Sequence, residues 1–153
     1  MEMQVMENHV KLGHVALPAR DPAGLARFYG DLLGLTSTMQ GALPGLGDFI
    51  FLSGQPADVL QELTFMTRPE ARHVAFEVDS LANLRAVYAS AKERGVRVLM
   101  ALDHRSSVSL MLVDPEGNNL EVYWLTGRRA DAPYAAPIDL DRPEAELMKQ
   151  LEA

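Results

Sequence analysis

Two histidines and two glutamates stand at matching places in the chain: His14 and Glu62, then His73 and Glu121, each pair 48 residues apart and the second pair displaced by 59. Imidazole nitrogen and carboxylate oxygen together are divalent-metal chemistry. Two imidazoles and one carboxylate can occupy one face of an octahedron, leaving the other positions for substrate and for oxygen or water, the donor set of non-haem Fe(II). A single strand histidine also reads as a hydrogen-bonded, partly buried residue. Three such residues at repeat-related positions favour a metal. Glu62 reads in two ways, as a fourth ligand or as a solvated carboxylate at a groove edge, paired with an arginine.

The elements that must position these groups also repeat. "HVALPARDPAGLARFY" from His14 and "HVAFEVDSLANLRAVY" from His73 agree at His, Val, Ala, a second Ala, Leu and Tyr with the same offset of 59, which marks duplication of a whole structural unit. Each copy opens with an alternating strand. Val15 and Leu17 oppose His14 and Ala16, while Val74, Phe76 and Val78 oppose His73, Ala75 and Glu77, so each histidine points away from the face its apolar neighbours bury. A helix follows each strand. In the first, Asp21 is the N-cap, Pro22 the first helical residue, Leu25, Phe28, Tyr29, Leu32 and Leu33 the apolar stripe, and Gly34 the stop. The second repeats the plan with Leu84, Val87, Tyr88 and Ala91, basic residues near its end and Gly95 as the stop.

Short strands are expected over 38–42, 48–53 and 59–66, then 96–102, 107–113 and 118–125, the last two joined by the tight turn "DPEGN". The unit is therefore βαβββ, present twice. In "NLEVYWL", Leu120, Val122 and Trp124 share one face and leave Glu121 and Tyr123 on the other; in "ELTFM", Glu62 falls with Thr64 and Met66. Phe49, Phe51, Met66, Met111 and Tyr123 read as an apolar wall for an aromatic substrate or as plain core. The chain is expected to form a single domain over 1–153. Module one covers about 9–67 and module two about 71–126; the proline- and charge-rich 127–153 is an extended arm with a short helix from about Arg142. His9 is read as structural or exposed.

Composition narrows the function classes. A length of 153 residues suits one domain with a sizeable core. A net charge of −7 with no basic run argues against nucleic acid or an anionic membrane as partner. The absence of cysteine removes thiolate ligands, thiol nucleophiles and disulfides, and suits the cytoplasm. No targeting segment and no membrane span is legible, so a cytoplasmic protein is expected.

The paired βαβββ pattern, the histidine opening each half and "DPEGNNLEVYW" closing the second resemble the vicinal oxygen chelate superfamily, which includes glyoxalase I, methylmalonyl-CoA epimerase, fosfomycin-resistance enzymes, bleomycin-binding proteins and extradiol dioxygenases. The resemblance covers about residues 9–126. It implies an α+β fold in which two βαβββ modules form a U-shaped mixed sheet around a metal groove, commonly in a homodimer, with His14, His73 and Glu121 as metal ligands. "HRSSVSLMLVDPEGNNLE" is similar to the signature of the ring-cleaving extradiol enzymes, supplying His104, Leu110, Asp114, Pro115, Gly117 and Glu121 in register. "PIDLDRPEAEL" resembles the tails of single-domain dioxygenase relatives.

That resemblance implies an Fe(II)-dependent enzyme that cleaves a catechol-like aromatic diol with O2, with Mn, Ni or Zn as other metals. His104 would donate a proton or stabilise an anion; read from the residues alone it is equally an exposed loop histidine beside Arg105. Met111 stands where the signature has tyrosine and cannot donate a hydrogen bond. Gln61 stands near the position of an acid-base histidine and cannot shuttle protons. Met111, Tyr123 and Gln61 are taken as substrate-contacting. If Glu62 also ligates, the set becomes that of glyoxalase- or epimerase-like isomerases, using Ni, Zn, Co or Mn. A metal-free binding protein like the drug-sequestering members is the third reading.

Overall fold

A computed structural model of the chain describes residues 10–152; His9 lies outside them. Among the described residues there are nine strands and three α-helices, an α+β composition divided into two compact units.

The first unit holds residues 13–75 and 131–133. It contains β1 (Val10–Pro18, from Gly13 onward), α1 (Pro22–Leu33), β2 (Thr36–Leu43), β3 (Gly47–Ser53) and β4 (Leu63–Met66). These strands lie in the order β2-β3-β4-β1, antiparallel except for the parallel pair β1 and β4, where Val15 faces Leu63 and Leu17 faces Phe65. A parallel pair needs a crossover, and here α1 supplies part of it. The expected caps form. The Asp21 carboxylate accepts the Gly24 N–H at 3.0 Å, Pro22 opens the helix and Gly34 ends it at φ 77°. Replacing Asp21 with Ala is expected to lower stability by about 1 kcal/mol, seen as a shift in the urea midpoint.

Three expectations for this unit require correction. The stripe on α1 is only partly buried: Ala26 is buried, Leu25 and Tyr29 are half-buried, and Phe28, Leu32 and Leu33 are 55–65% exposed. The helix rests on the sheet through the small Ala26 side and through the Tyr29 ring, 5.2 Å from that of Phe65, so the apolar arc is wider than the surface beneath it. Strand β4 begins at Leu63 rather than near 59, because the N–H groups of Asp58 and Val59 both bond to the Gln55 carbonyl in a turn. The histidine face of β1 is also the more covered one, with His14 and Ala16 buried while Val15 and Leu17 are half-buried.

The second unit holds residues 10–12, 76–130 and 134–152 of the described chain. It contains the end of β5 (His73–Val78), then α2 (Leu81–Glu93), β6 (Arg97–Asp103), β7 (Ser107–Val113), β8 (Asn119–Leu125), β9 (Ala136–Pro137) and α3 (Glu144–Glu152). Strands β8, β7, β6 and β9 lie side by side in that order, all antiparallel. Ser80 caps α2 by accepting the Asn83 N–H at 3.0 Å, and Gly95 follows the helix at φ 70°. The β7–β8 turn is fastened by Asp114, which accepts N–H bonds from Glu116, from Asn118 and from the Asn118 amide, each at 2.9 Å. Those bonds, led by the Asn118 amide, hold its carboxyl below the usual range.

The C-terminal segment is more than an arm. Strand β9 pairs with the end of β6, Leu102 facing Pro137 and Asp103 facing Ala136. Ile138, Leu140, Leu147 and Leu151 then enter one apolar cluster with Leu84, Val108, Leu110 and Val122. Arg85 Nε donates to the Leu140 carbonyl at 3.2 Å, and the Lys92 ammonium pairs with Asp141. No described helix is long and apolar enough to cross a membrane.

Candidate metal centre

His14 lies in the middle of β1 and His73 opens β5, both within the first unit and both buried. Their Nε2 atoms are 3.3 Å apart with ring planes at 77°. His73 Nδ1 lies 2.7 Å from the Ala71 carbonyl. A carbonyl only accepts, so Nδ1 carries the proton and Nε2 of the neutral ring presents a lone pair toward His14. Fixing the tautomer through the far nitrogen is how metal-binding histidines are oriented. The spacing suits one shared ion: two nitrogens at about 2.1 Å from a metal stand about 3.0 Å apart at a right angle and about 3.4 Å apart at the tetrahedral angle. The imidazole pair therefore fits a divalent cation by distance, and His73 fits it by tautomer as well.

Glu62 lies in the same unit and is engaged elsewhere. Its Oε1 accepts from Ser53 Oγ at 3.1 Å and from the Gly54 N–H at 2.7 Å, and its Oε2 from the Gln55 amide at 3.5 Å. The carboxylate thus fastens the loop leaving β3, and among the described residues it is not grouped with His14 and His73. Gln61 donates its amide to Thr64 Oγ1 at 2.5 Å. Of the apolar wall in this unit, Phe49 and Met66 are almost completely buried and cluster with Ala16, while Phe51, half-buried, packs against them with its ring 4.9 Å from that of Phe49.

The remaining residues belong to the second unit. Glu121 sits on β8 opposite Met111 of β7, is buried, and accepts a hydrogen bond from Ser109 Oγ. Ser109 also lies 3.9 Å from the Met111 sulfur. Sequence reasoning passed over Ser109, although the alternation of "SVSLML" places it on the face of Met111 and beside Glu121. Tyr123, two residues beyond Glu121, is also buried; burial first, then the negative charges of Glu77 and Glu121, push its phenol well above its usual pKa. It remains a protonated O–H at neutral pH. Glu77 forms a long ion pair with Lys11, at 3.8 Å.

His104 occupies the turn between β6 and β7 and is half-buried. Its Nδ1 lies 2.8 Å from the Tyr134 carbonyl, which makes this nitrogen the donor and leaves Nε2 of the neutral ring as an acceptor. The next residue, Arg105, has φ 68°, the only positive φ outside glycine among the described residues.

The arrangement can do two things chemically. The imidazole pair can take one cation between its Nε2 atoms, and the second unit offers a buried carboxylate, a phenol donor and a histidine acceptor near one another in sequence register. A model described as the Glyoxalase/Bleomycin resistance protein/Dioxygenase superfamily matches residues 11–122. A search of curated proteins returned no match.

Solved structures with the same fold include a 2,3-dioxygenase from Pseudomonas sp. KL28, 20% identical, with 84% of this chain and 46% of that one covered and a TM-score of 0.64. The Mn(II)-bound glyoxalase from Novosphingobium aromaticivorans is also 20% identical, covering 82% and 42%, TM-score 0.65. A methylmalonyl-CoA epimerase from Streptomyces coelicolor is 15% identical, covering 80% and 99%, TM-score 0.60. The chain thus spans about half the length of the dioxygenase and nearly all of the epimerase. Identities of this size carry the fold alone, and reactions differ across one fold. The repeated βαβββ modules, the histidine that opens each and the match over residues 11–122 together show that the chain belongs to the Glyoxalase/Bleomycin resistance protein/Dioxygenase superfamily.

Proposed function

We propose that this protein is a divalent-metal enzyme in which His14, His73 and Glu121 hold one Fe(II), and that it cleaves a catechol-like aromatic ring beside its hydroxyls with O2. One observation carries the choice within the superfamily: Glu62, the repeat-related candidate for a fourth ligand, has its carboxylate engaged by Ser53, Gly54 and Gln55. Three protein donors leave more of the ion's coordination positions open than four do, which suits a bidentate diol together with oxygen. The isomerase reading needs Glu62, so the same contacts count against it. When bound, the ion supplies Lewis acidity that favours the diolate and redox capacity for oxygen chemistry.

The chain's own groups have distinct tasks in this reading. The Ala71 carbonyl orients His73, and Ser109 orients Glu121 through its hydroxyl. Tyr123, kept protonated, offers a hydrogen bond to an oxygen of the substrate. His104 Nε2 accepts a proton leaving a substrate hydroxyl and returns it later, a role worth about 10²- to 10⁴-fold in general acid-base catalysis. Met111 contributes apolar lining where a hydrogen-bond donor would otherwise stand.

The test is oxygen consumption by protein loaded anaerobically with Fe(II), across a panel of catechols, beside the Glu62→Gln variant. Uptake by both, with equal metal affinity, is the expected result. A silent wild type across the panel refutes ring cleavage, and loss of metal affinity in Glu62→Gln restores the four-ligand isomerase.

A further inference from the structure

The turn that carries His104 is held in a conformation the chain would not choose for itself. Arg105 adopts φ 68°, a left-handed backbone that is unfavourable for a residue with a Cβ. Such a conformation persists only where its surroundings over-determine it, and each surrounding contact is present. The Arg105 N–H donates to Asp103 Oδ1 at 2.7 Å, and Thr126 Oγ1 donates to the Arg105 carbonyl. His104 N–H bonds to the Ser107 carbonyl at 2.8 Å, and Thr126 N–H to the Ser106 carbonyl at 3.0 Å. The guanidinium of Arg105 lies 4.2 Å from the centre of the Tyr134 ring, within cation-π range. Tyr134 is the residue whose carbonyl accepts the hydrogen bond from His104 Nδ1–H.

Tyr134 is placed by its C-terminal neighbours. Two residues on, Ala136 pairs with Asp103 in the β6–β9 ladder, and Ile138 N–H bonds to the Ala101 carbonyl at 3.1 Å. Ile138 and Leu140 are buried. The segment from Tyr134 to Leu140 is thus tied to the strand that leads into the His104 turn, and its first residue closes on that turn from two sides, by ring and by carbonyl.

We infer that Tyr134 and Arg105 are positioning residues that clamp the C-terminal segment onto the His104 turn and lock His104 in the tautomer with the proton on Nδ1. Locked in this way, His104 has one nitrogen for exchange with a substrate. A proton released by a substrate hydroxyl arrives at Nε2, the resulting imidazolium keeps its Nδ1–H on the Tyr134 carbonyl, and return of that proton restores the neutral ring. This rests on the acid-base role of His104 proposed above, but the tautomer itself does not.

The experiment reads both levels. Long-range proton–nitrogen NMR of the full chain labelled with ¹⁵N-histidine, without added metal, assigns the His104 ring by its loss in His104→Gln. Wild type and Tyr134→Phe are expected in the Nδ1–H form. Tyr134→Ala and Arg105→Ala are expected to mix the two tautomers and, with Fe(II), to lower kcat about tenfold while KM changes by about twofold or less, the signature of a misplaced group rather than lost binding. Tyr134→Phe restores both readouts if the ring is the clamp. Arg105→Gly relieves the backbone cost without restoring the stack, so it behaves as Arg105→Ala does. A wild-type His104 protonated on Nε2, or a Tyr134→Ala variant unchanged in tautomer, overturns the inference. The expected tautomers in a protein that consumes no oxygen would keep the clamp and refute the proposed reaction instead.

Discussion

His73→Ala is expected to abolish measurable metal uptake and, under the proposed reaction, to lower Fe(II)-dependent oxygen consumption by at least about 100-fold, beyond the 10- to 100-fold that losing an outer partner of a ligand costs. The substitution removes one of two nitrogens that stand 3.3 Å apart and strips the Ala71 carbonyl of its donor. His14 alone then offers a single imidazole, which binds divalent ions weakly. Anaerobic calorimetric titration with Fe(II) or Mn(II) measures the affinity, and circular dichroism verifies that the variant is folded. Undiminished affinity in folded His73→Ala would remove the imidazole pair from the metal centre and, with it, the proposed chemistry.

Leu147→Ala is expected to have the second large effect, a loss of about 2–5 kcal/mol of stability. Leu147 is fully buried in the cluster that includes Leu84, Leu110, Leu140 and Leu151, so truncation removes apolar contact and leaves a cavity in close-packed surroundings. Its neighbour Met148 is 37% exposed, and Met148→Ala is expected to cost about 0.5 kcal/mol or less. Urea unfolding of the two variants side by side makes the comparison at one helix and one position apart. Equal midpoints would mean that α3 contributes little to the core.

The same segment shows where sequence reading stops. Proline and charge dominate 127–153, yet four apolar residues, Ile138, Leu140, Leu147 and Leu151, fill the unit's core, because packing depends on where side chains fall and not on average composition. The caps of α1 and α2 were legible at Asp21, Gly34 and Gly95, since they depend on local hydrogen bonds and on φ. The apolar stripe of α1 was legible as a pattern but not as a buried face: periodicity says which residues share a side, while the reach of the strands beneath decides that Ala26 is covered and Phe28 is not.

The repeat singled out the two histidines and Glu121 in the sequence because each lies mid-strand or at a strand's opening, where alternation fixes direction. Glu62 obeys the same alternation, and its destination was decided by Ser53, Gly54 and Gln55, where β3 ends and an irregular connection begins that no period describes. The face of Ser109 was legible from alternation but its partner was not, and the carbonyls of Ala71 and Tyr134 were invisible for a related reason. A backbone oxygen carries no letter in the sequence, and a serine acquires its meaning only from the carboxylate it meets.

The parallel pairing of β1 with β4 has a kinetic side. The hairpins β2–β3, β6–β7 and β7–β8 close over short stretches of chain, whereas Val15 must find Leu63 across 48 residues. Longer closures cost more entropy and form later unless strong local contacts precede them. In the first unit, then, the strand that delivers His14 docks after the hairpin and helix between it and β4 have taken shape. A refolding chain stopped short of that step would already have much of its secondary structure and still lack the imidazole pair, so the pairing of His14 with His73 belongs to the end of that unit's folding rather than its course.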